Sequence, residues 1–191
     1  MPYGRKRQIR ATIQILRTST SSMKPIKHAW LFRLALAIVF ALLIPTTALM
    51  VQIPAPALAG YFDLEDSVVF IAALLFGPFV GGLAGGIGSA VSDLICYPLF
   101  TPYTLVIKGV GGWLVGRTAG RTLRSDWMAC AIGGIEMVAG FLVVESFLSG
   151  IEAALEGLPF NILRVVAGVA IGPPAAMLLR KMLPSTLTLK A

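Results

Sequence analysis

Residues 67–116 read SVVFIAALLFGPFVGGLAGGIGSAVSDLICYPLFTPYTLVIKGVGGWLVG. The stretch is apolar enough to lie in a bilayer and is crowded with glycine. It also holds one aspartate, Asp93, and one lysine, Lys108. An ionisable residue inside a membrane costs about 2.5–3.5 kcal/mol on insertion scales, so such residues usually have a partner or a function.

The composition around this stretch points the same way. Of 191 residues, 57% are hydrophobic and only 13% are charged, and the mean hydropathy is +0.83. A soluble domain carries about a quarter charged residues, so the chain reads as an all-α integral membrane protein. Its net charge of +7 does not indicate nucleic acid, because the basic residues flank apolar segments, as membrane orientation requires. Cys96 and Cys130 lie in or beside apolar segments and read as small buried hydrophobes. No Cys/His spacing suggests a metal. His28 is the only histidine and lies outside the apolar segments, which disfavours Ser-His catalysis. HExxH and nucleotide motifs are absent, and Asp93 is the only aspartate well inside an expected span, where a two-aspartate intramembrane protease needs two. No cofactor is expected in this chain, and any ATP-driven step belongs to another.

A spanning helix needs about 20 apolar residues. Three regions follow: a basic cytoplasmic tail over 1–28, a six-helix membrane domain over 29–181, and a cytoplasmic tail over 182–191. The helices are expected near 29–51, 65–76, 79–97, 103–121, 127–149 and 158–181. Pro45 should kink the first, Gly77-Pro78 should break the chain, and Pro173-Pro174 should bend the last. The second helix is short, but six crossings place Arg117, Arg121, Arg124, Arg180, Lys181 and both termini inside. They place Asp63, Glu65, Asp66, Glu152 and Glu156 outside. One crossing fewer after the first helix would move the Arg117–Arg124 loop and the C-terminus outside, so the positive-inside rule favours six.

Small residues recur four apart. Gly77, Gly81, Gly85 and Ser89 form one stripe, Gly82 and Gly86 another, Gly112, Gly116 and Gly120 a third, and Ala37 and Ala41 a fourth. Such stripes let helices approach closely in lipid.

The intramembrane polar residues gather by depth. Asp93 and Tyr97 end the third helix. Thr104 and Lys108 share a face of the fourth. Glu145 lies near the outer end of the fifth, and Asn161 and Arg164 share a face near the start of the sixth. All lie in the outer half, with Asp93 and Glu145 balancing Lys108 and Arg164 in sign. An ion path would string such groups through the full depth; this set reads as an outward-facing pocket, or as structural ion pairs with Asp93 beside Lys108. Glu136 is nearer the middle, half a turn around from Glu145, and is expected to meet a neighbouring helix or subunit.

The segment GYFDLEDSVVFIAALLFGPFVGGLAGGIGSAVSDL, followed by YPLFTPYTLVIKGVGGWLVG, resembles the substrate-binding (S) components of energy-coupling factor (ECF) transporters, and most closely the riboflavin-type family. Asp66, Gly77-Pro78, Asp93-Leu94, Thr104 with Lys108-Gly109, and LPFNILR at 158–164 carry the likeness. Ala37 and Ala41 resemble the AxxxA motif that docks onto the membrane T component. The resemblance implies a six-helix subunit of the prokaryotic cell membrane that captures a vitamin from outside. It would work with a T component and two ATP-binding subunits. It further implies that the loop after helix 1 roofs the pocket and that helices 4, 5 and 6 supply contacts. Carried onto this chain, the substrate-binding candidates are Tyr61, Asp63, Asp93, Tyr97, Thr104, Lys108, Glu145, Asn161 and Arg164. Tyr61 and Phe62 suit a flat ring, with riboflavin the first expectation. Arg164 departs from many relatives and suggests a more anionic ligand. The competing readings are a stand-alone secondary transporter, disfavoured by the lack of a visible inverted repeat, and an intramembrane enzyme.

Overall fold

A computed structural model describes residues 29–51, 53–55, 60–120 and 122–183. The expected basic tail over 1–28 and nearly all of the C-terminal tail lie outside the described residues. The chain divides into two compact units, Met1–Phe32 and Arg33–Ala191; of the first, only the opening of one helix is described.

Six helices occur among the described residues: α1 (Ala29–Met50), α2 (Glu65–Phe76), α3 (Pro78–Cys96), α4 (Thr101–Thr118), α5 (Leu123–Ser149) and α6 (Ile151–Met182). Four of them, α1, α3, α5 and α6, are long and apolar enough to cross a membrane. The all-α expectation needs one amendment. The Pro-rich segment after α1 forms a small antiparallel pair, β1 (Ile53–Ala55) and β2 (Gly60–Phe62), with Ile53 opposite Phe62.

Local chemistry explains the boundaries. The acids Glu65 and Asp66 occupy the first turn of α2, where carboxylates suit the helix dipole. Asp63 Oδ1 accepts from the Glu65 amide at 2.8 Å and fixes the entry. Gly77 then adopts φ +84°, a conformation that disfavours a side chain, and Pro78 opens α3 at a position that needs no amide donor. The Thr122 hydroxyl accepts from the Ser125 amide at 3.2 Å and caps α5.

Two expectations shift. Pro45 leaves α1 continuous from Ala29 to Met50, with the Thr46 and Thr47 hydroxyls bonded to the Leu42 and Leu43 carbonyls. The last helix begins at Ile151 rather than near 158, because Gly150 (φ +91°) makes the turn and Pro159 is carried inside the helix. Arg164 therefore lies well into α6, about 20 Å from its start at 1.5 Å per residue.

The backbones of α3 and α4 approach each other closely. A methyl group on Gly81 would come within 2.6 Å of the Gly112 carbonyl oxygen, and one on Gly86 within 2.7 Å of that of Leu105. A methyl on Gly85 would lie 3.0 Å from the Lys108 carbonyl oxygen, so backbone contact sets where Lys108 emerges. The glycine stripes thus do what their spacing predicts. The Ala37/Ala41 stripe also faces inward: Ala37 is buried, and a methyl on Gly88 would meet the Ala41 backbone at 3.1 Å.

At the end of α2 away from the hairpin, Arg180 donates to the Leu74 carbonyl at 2.7 Å and to the buried Asp126 carboxylate. The Leu74 carbonyl would ordinarily bond the amide four residues on, but that residue is Pro78, which has none. Arg180 fills the vacancy and ties α2 to α5 and α6.

Candidate functional site

The first turn of α2, the middle of α4 and the middle of α6 converge on one charged cluster. Lys108, about 1% exposed, pairs with Asp66 and, at 3.2 Å, with Glu65 Oε1. Arg164 reaches the same Glu65 oxygen at 2.8 Å and Asp63 Oδ2 at 3.0 Å. Glu65 Oε1 therefore bridges both cations. The three carboxylates come from one short stretch at the junction of the hairpin and α2; the two cations come from helices 42 and 99 residues further on.

Asp63 lies outside the helices. Burial pushes its carboxyl up from the ordinary 3.8 to about 7, a shift that Arg164 opposes and Glu65 reinforces. Loss of water around the carboxylate is thus the dominant effect, and the attraction of the Arg164 guanidinium does not offset it.

Beside the cluster is a cavity of about 10 Å³, walled by Asp66, Lys108, Phe141, Asn161 and Arg164 together with apolar residues of α5 and α6. That is room for about one water. The Lys108 ammonium stands 5.7 Å from the centre of the Phe141 ring, a cation–π distance. Asn161 donates to Glu145 Oε1 at 3.0 Å. A far larger cleft of about 600 Å³ lies between α5 and α6, but its walls, including Trp127, Ile135 and Val166, are apolar. It offers little to orient a polar ligand, so the small charged cavity is the better candidate.

Of the residues singled out from sequence, Lys108, Asn161 and Arg164 line the cavity, Asp63 pairs with Arg164, and Glu145 holds Asn161. Asp93, Tyr97 and Thr104 are not among its walls. The expected pairing of Asp93 with Lys108 is corrected: Lys108 takes its carboxylates from α2, and Asp93 accepts instead from the Thr104 hydroxyl. The sign balance proposed for Glu145 changes as well, since its hydrogen bond comes from Asn161. The side chain of Tyr61 lies outside what is described; Phe62 is half-buried. Glu136 turns toward α4, where a methyl on Gly111 would lie 2.8 Å from its Oε2, as the half-turn offset from Glu145 predicts.

Glu65, Asp66 and Phe141 were missed as site residues. Asp66 was marked only as a family motif, and Glu65 only as an acid on the outer side of the membrane. The available signal was that two acids open a helix whose next ten residues, Ser67–Phe76, carry no charge.

Residues 33–181 match the family of ECF-type riboflavin transporter S components. A Pyrococcus woesei protein described as an uncharacterized protein in gap 3' region is 39% identical over 140 residues, which cover 72% of this chain and 95% of that protein. The thiamine precursor transporter HmpT of Lactococcus lactis subsp. cremoris (strain MG1363) is 28% identical over 130 residues, covering 67% and 75% respectively. Together with four helices able to cross a bilayer, these likenesses identify a multi-pass cell-membrane protein of the vitamin-uptake type. The chain belongs to the ECF-type riboflavin transporter S component family.

Proposed function

We propose that this chain captures a vitamin-like ring compound outside the cell and hands it to a membrane T component driven by two ATP-binding subunits. In this reading the chain is a non-catalytic binding subunit, and ATP is used only by its partners. Both termini are cytoplasmic and all six helices cross or complete a crossing. The 12-residue α2 does so with the help of the chain on either side, since it is about 18 Å long against about 30 Å of hydrocarbon. The loop holding Arg117 and Arg124 and the end holding Arg180 and Lys181 are then cytoplasmic, as the positive-inside rule requires.

The observation that carries the reading is the buried meeting of Lys108, Arg164, Asn161 and Phe141 around one cavity beside the hairpin. Ligand pockets usually measure about 300–1,000 Å³, so capture requires these walls to separate. Riboflavin and other flat-ring vitamins fit the aromatic wall. Docking of the T component is proposed on α1. Ala37 and Ala41 face inward, so the row available to a partner is the exposed Ile38, Leu42 and Leu49.

The experiment is mass spectrometry of small molecules carried through purification, followed by calorimetric titration of the identified compound without ATP. Binding by the isolated chain is expected. A chain that retains nothing and binds no member of a vitamin panel would not be a capture subunit.

A further inference from the structure

The apolar cleft between α5 and α6 is distinct from the charged cavity and shares only Val138 and Val165 with it. Close packing sets its floor: a methyl on Gly134 would come within 2.3 Å of Val165 Cγ1. Trp127, Ala131 and Leu142 line it from α5, and Ile162 and Ala170 from α6. From Trp127 to Leu142 the wall rises about 22 Å along the helix. One leaflet takes about 15 Å, half of the hydrocarbon thickness. The length and the lining therefore suit one hydrocarbon chain lying along the helices.

The two ends of the cleft differ in charge. Arg124 lies one turn before Trp127, on the stripe that carries Trp127 and Ala131. Lys181 lies about three turns after Ala170 and so continues that residue's face of α6. The Asp126–Arg180 pair holds these two helix ends together. Arg124 and Lys181 are both exposed, and neither has an acid partner among the described residues. Asp126, the acid next to Arg124 in sequence, is buried and committed to Arg180. No acid follows Glu156 in the chain. At the opposite end, Glu145 stands one turn beyond Leu142, and Arg164 is engaged with Asp63 and Glu65. Only the Arg124 end therefore offers uncommitted positive charge. Basic side chains at the membrane surface attract net anionic headgroups, whereas a zwitterionic headgroup brings them as much positive charge as negative. Trp127 marks the same level, since tryptophan favours the boundary between hydrocarbon and headgroups.

We propose that the α5–α6 cleft seats one acyl chain of an anionic phospholipid, with its headgroup held between Arg124 and Lys181. In the proposed orientation this lipid belongs to the cytoplasmic leaflet.

The purified full-length chain, stripped of lipid in detergent, is offered phosphatidylglycerol or phosphatidylcholine with identical acyl chains, and native mass spectrometry counts the lipid retained. One phosphatidylglycerol should be retained at about tenfold lower lipid concentration than phosphatidylcholine. Arg124→Gln/Lys181→Gln should remove that preference and leave the lipid-free melting temperature unchanged, because both side chains are exposed and unpaired. Ala131→Trp fills the cleft from an exposed position and should reduce retention of both lipids; Ala170→Trp does the same from the opposite wall. Equal retention of the two lipids, or a preference that survives in the double Gln variant, overturns the proposal. Full retention in a folded Ala131→Trp or Ala170→Trp protein also overturns it, because the lipid would then touch the basic rim without entering the cleft. Retention of neither lipid overturns it as well; if those Trp variants then block assembly with the T component, the cleft belongs to a helix of that partner.

Discussion

Lys108 shows how much rests on one side chain. It is buried and holds two buried carboxylates. Lys108→Met would leave Asp66 without its charge partner, and breaking a buried pair from one side costs about 3–5 kcal/mol. The apparent melting temperature of the detergent-solubilised protein should drop markedly, and Lys108→Met/Asp66→Leu should recover most of the loss. A single variant that melts with the wild type would show that the pair adds nothing. Asp63 sets a pH dependence. Its folded-state pKa of about 7 lies above its ordinary 3.8, so the folded protein holds the proton more tightly than the unfolded chain. The stability this contributes is full below about pH 3.8 and is lost as pH rises through about 7, an effect of up to about 4 kcal/mol. Asp63→Asn should flatten the melting-temperature profile between about pH 4 and pH 7, the window of that loss; an unaltered slope would assign the titration to another group. At this scale the sequence was half legible. Lys108 and Arg164 stood out because cations are rare in apolar segments. Their partners did not, because acids at a helix boundary look solvated and a contact across 42 or 99 residues leaves no mark in local spacing.

Between elements, backbone contact governs. A methyl group on Gly112 would overlap the Gly81 carbonyl, whereas one on Gly109 would meet its nearest atom at 3.6 Å, an ordinary contact. Gly112→Ala should therefore destabilise the bundle by about 1–3 kcal/mol through overpacking, while Gly109→Ala should leave thermal stability nearly unchanged. Equal melting curves for the two variants would refute the close approach of α3 and α4. The glycine spacing made this contact readable in advance, since residues four apart share a face whatever the tertiary fold. The start of α6 was not readable. Pro159 looked like a helix opening, but the turn is made by Gly150, and a proline inside a membrane helix is tolerated where neighbours satisfy the freed groups. The inward orientation of Ala37 and Ala41 was equally hidden, because small residues look the same whether they face a partner or the chain's own core.

For the molecule as a whole, the proposed orientation is open to chemical labelling. In a background lacking Cys96 and Cys130, Leu99→Cys should react with a membrane-impermeant thiol reagent added outside cells. Thr122→Cys should react only in inverted vesicles. Labelling of both from one side would break the six-crossing arrangement. Helix α2 carries a further consequence. Both its ends rely on side chains supplied later in the chain: Lys108 and Arg164 for Glu65 and Asp66, and Arg180 for the Leu74 carbonyl. Buried backbone and charged groups are costly in hydrocarbon until they are paired. A ribosome makes Glu65 long before Arg180, so during synthesis α2 waits first for Lys108 and then for Arg164 and Arg180. In the proposed topology the last helix, which carries Arg164 and Arg180, would therefore be a condition for holding the second helix in the membrane.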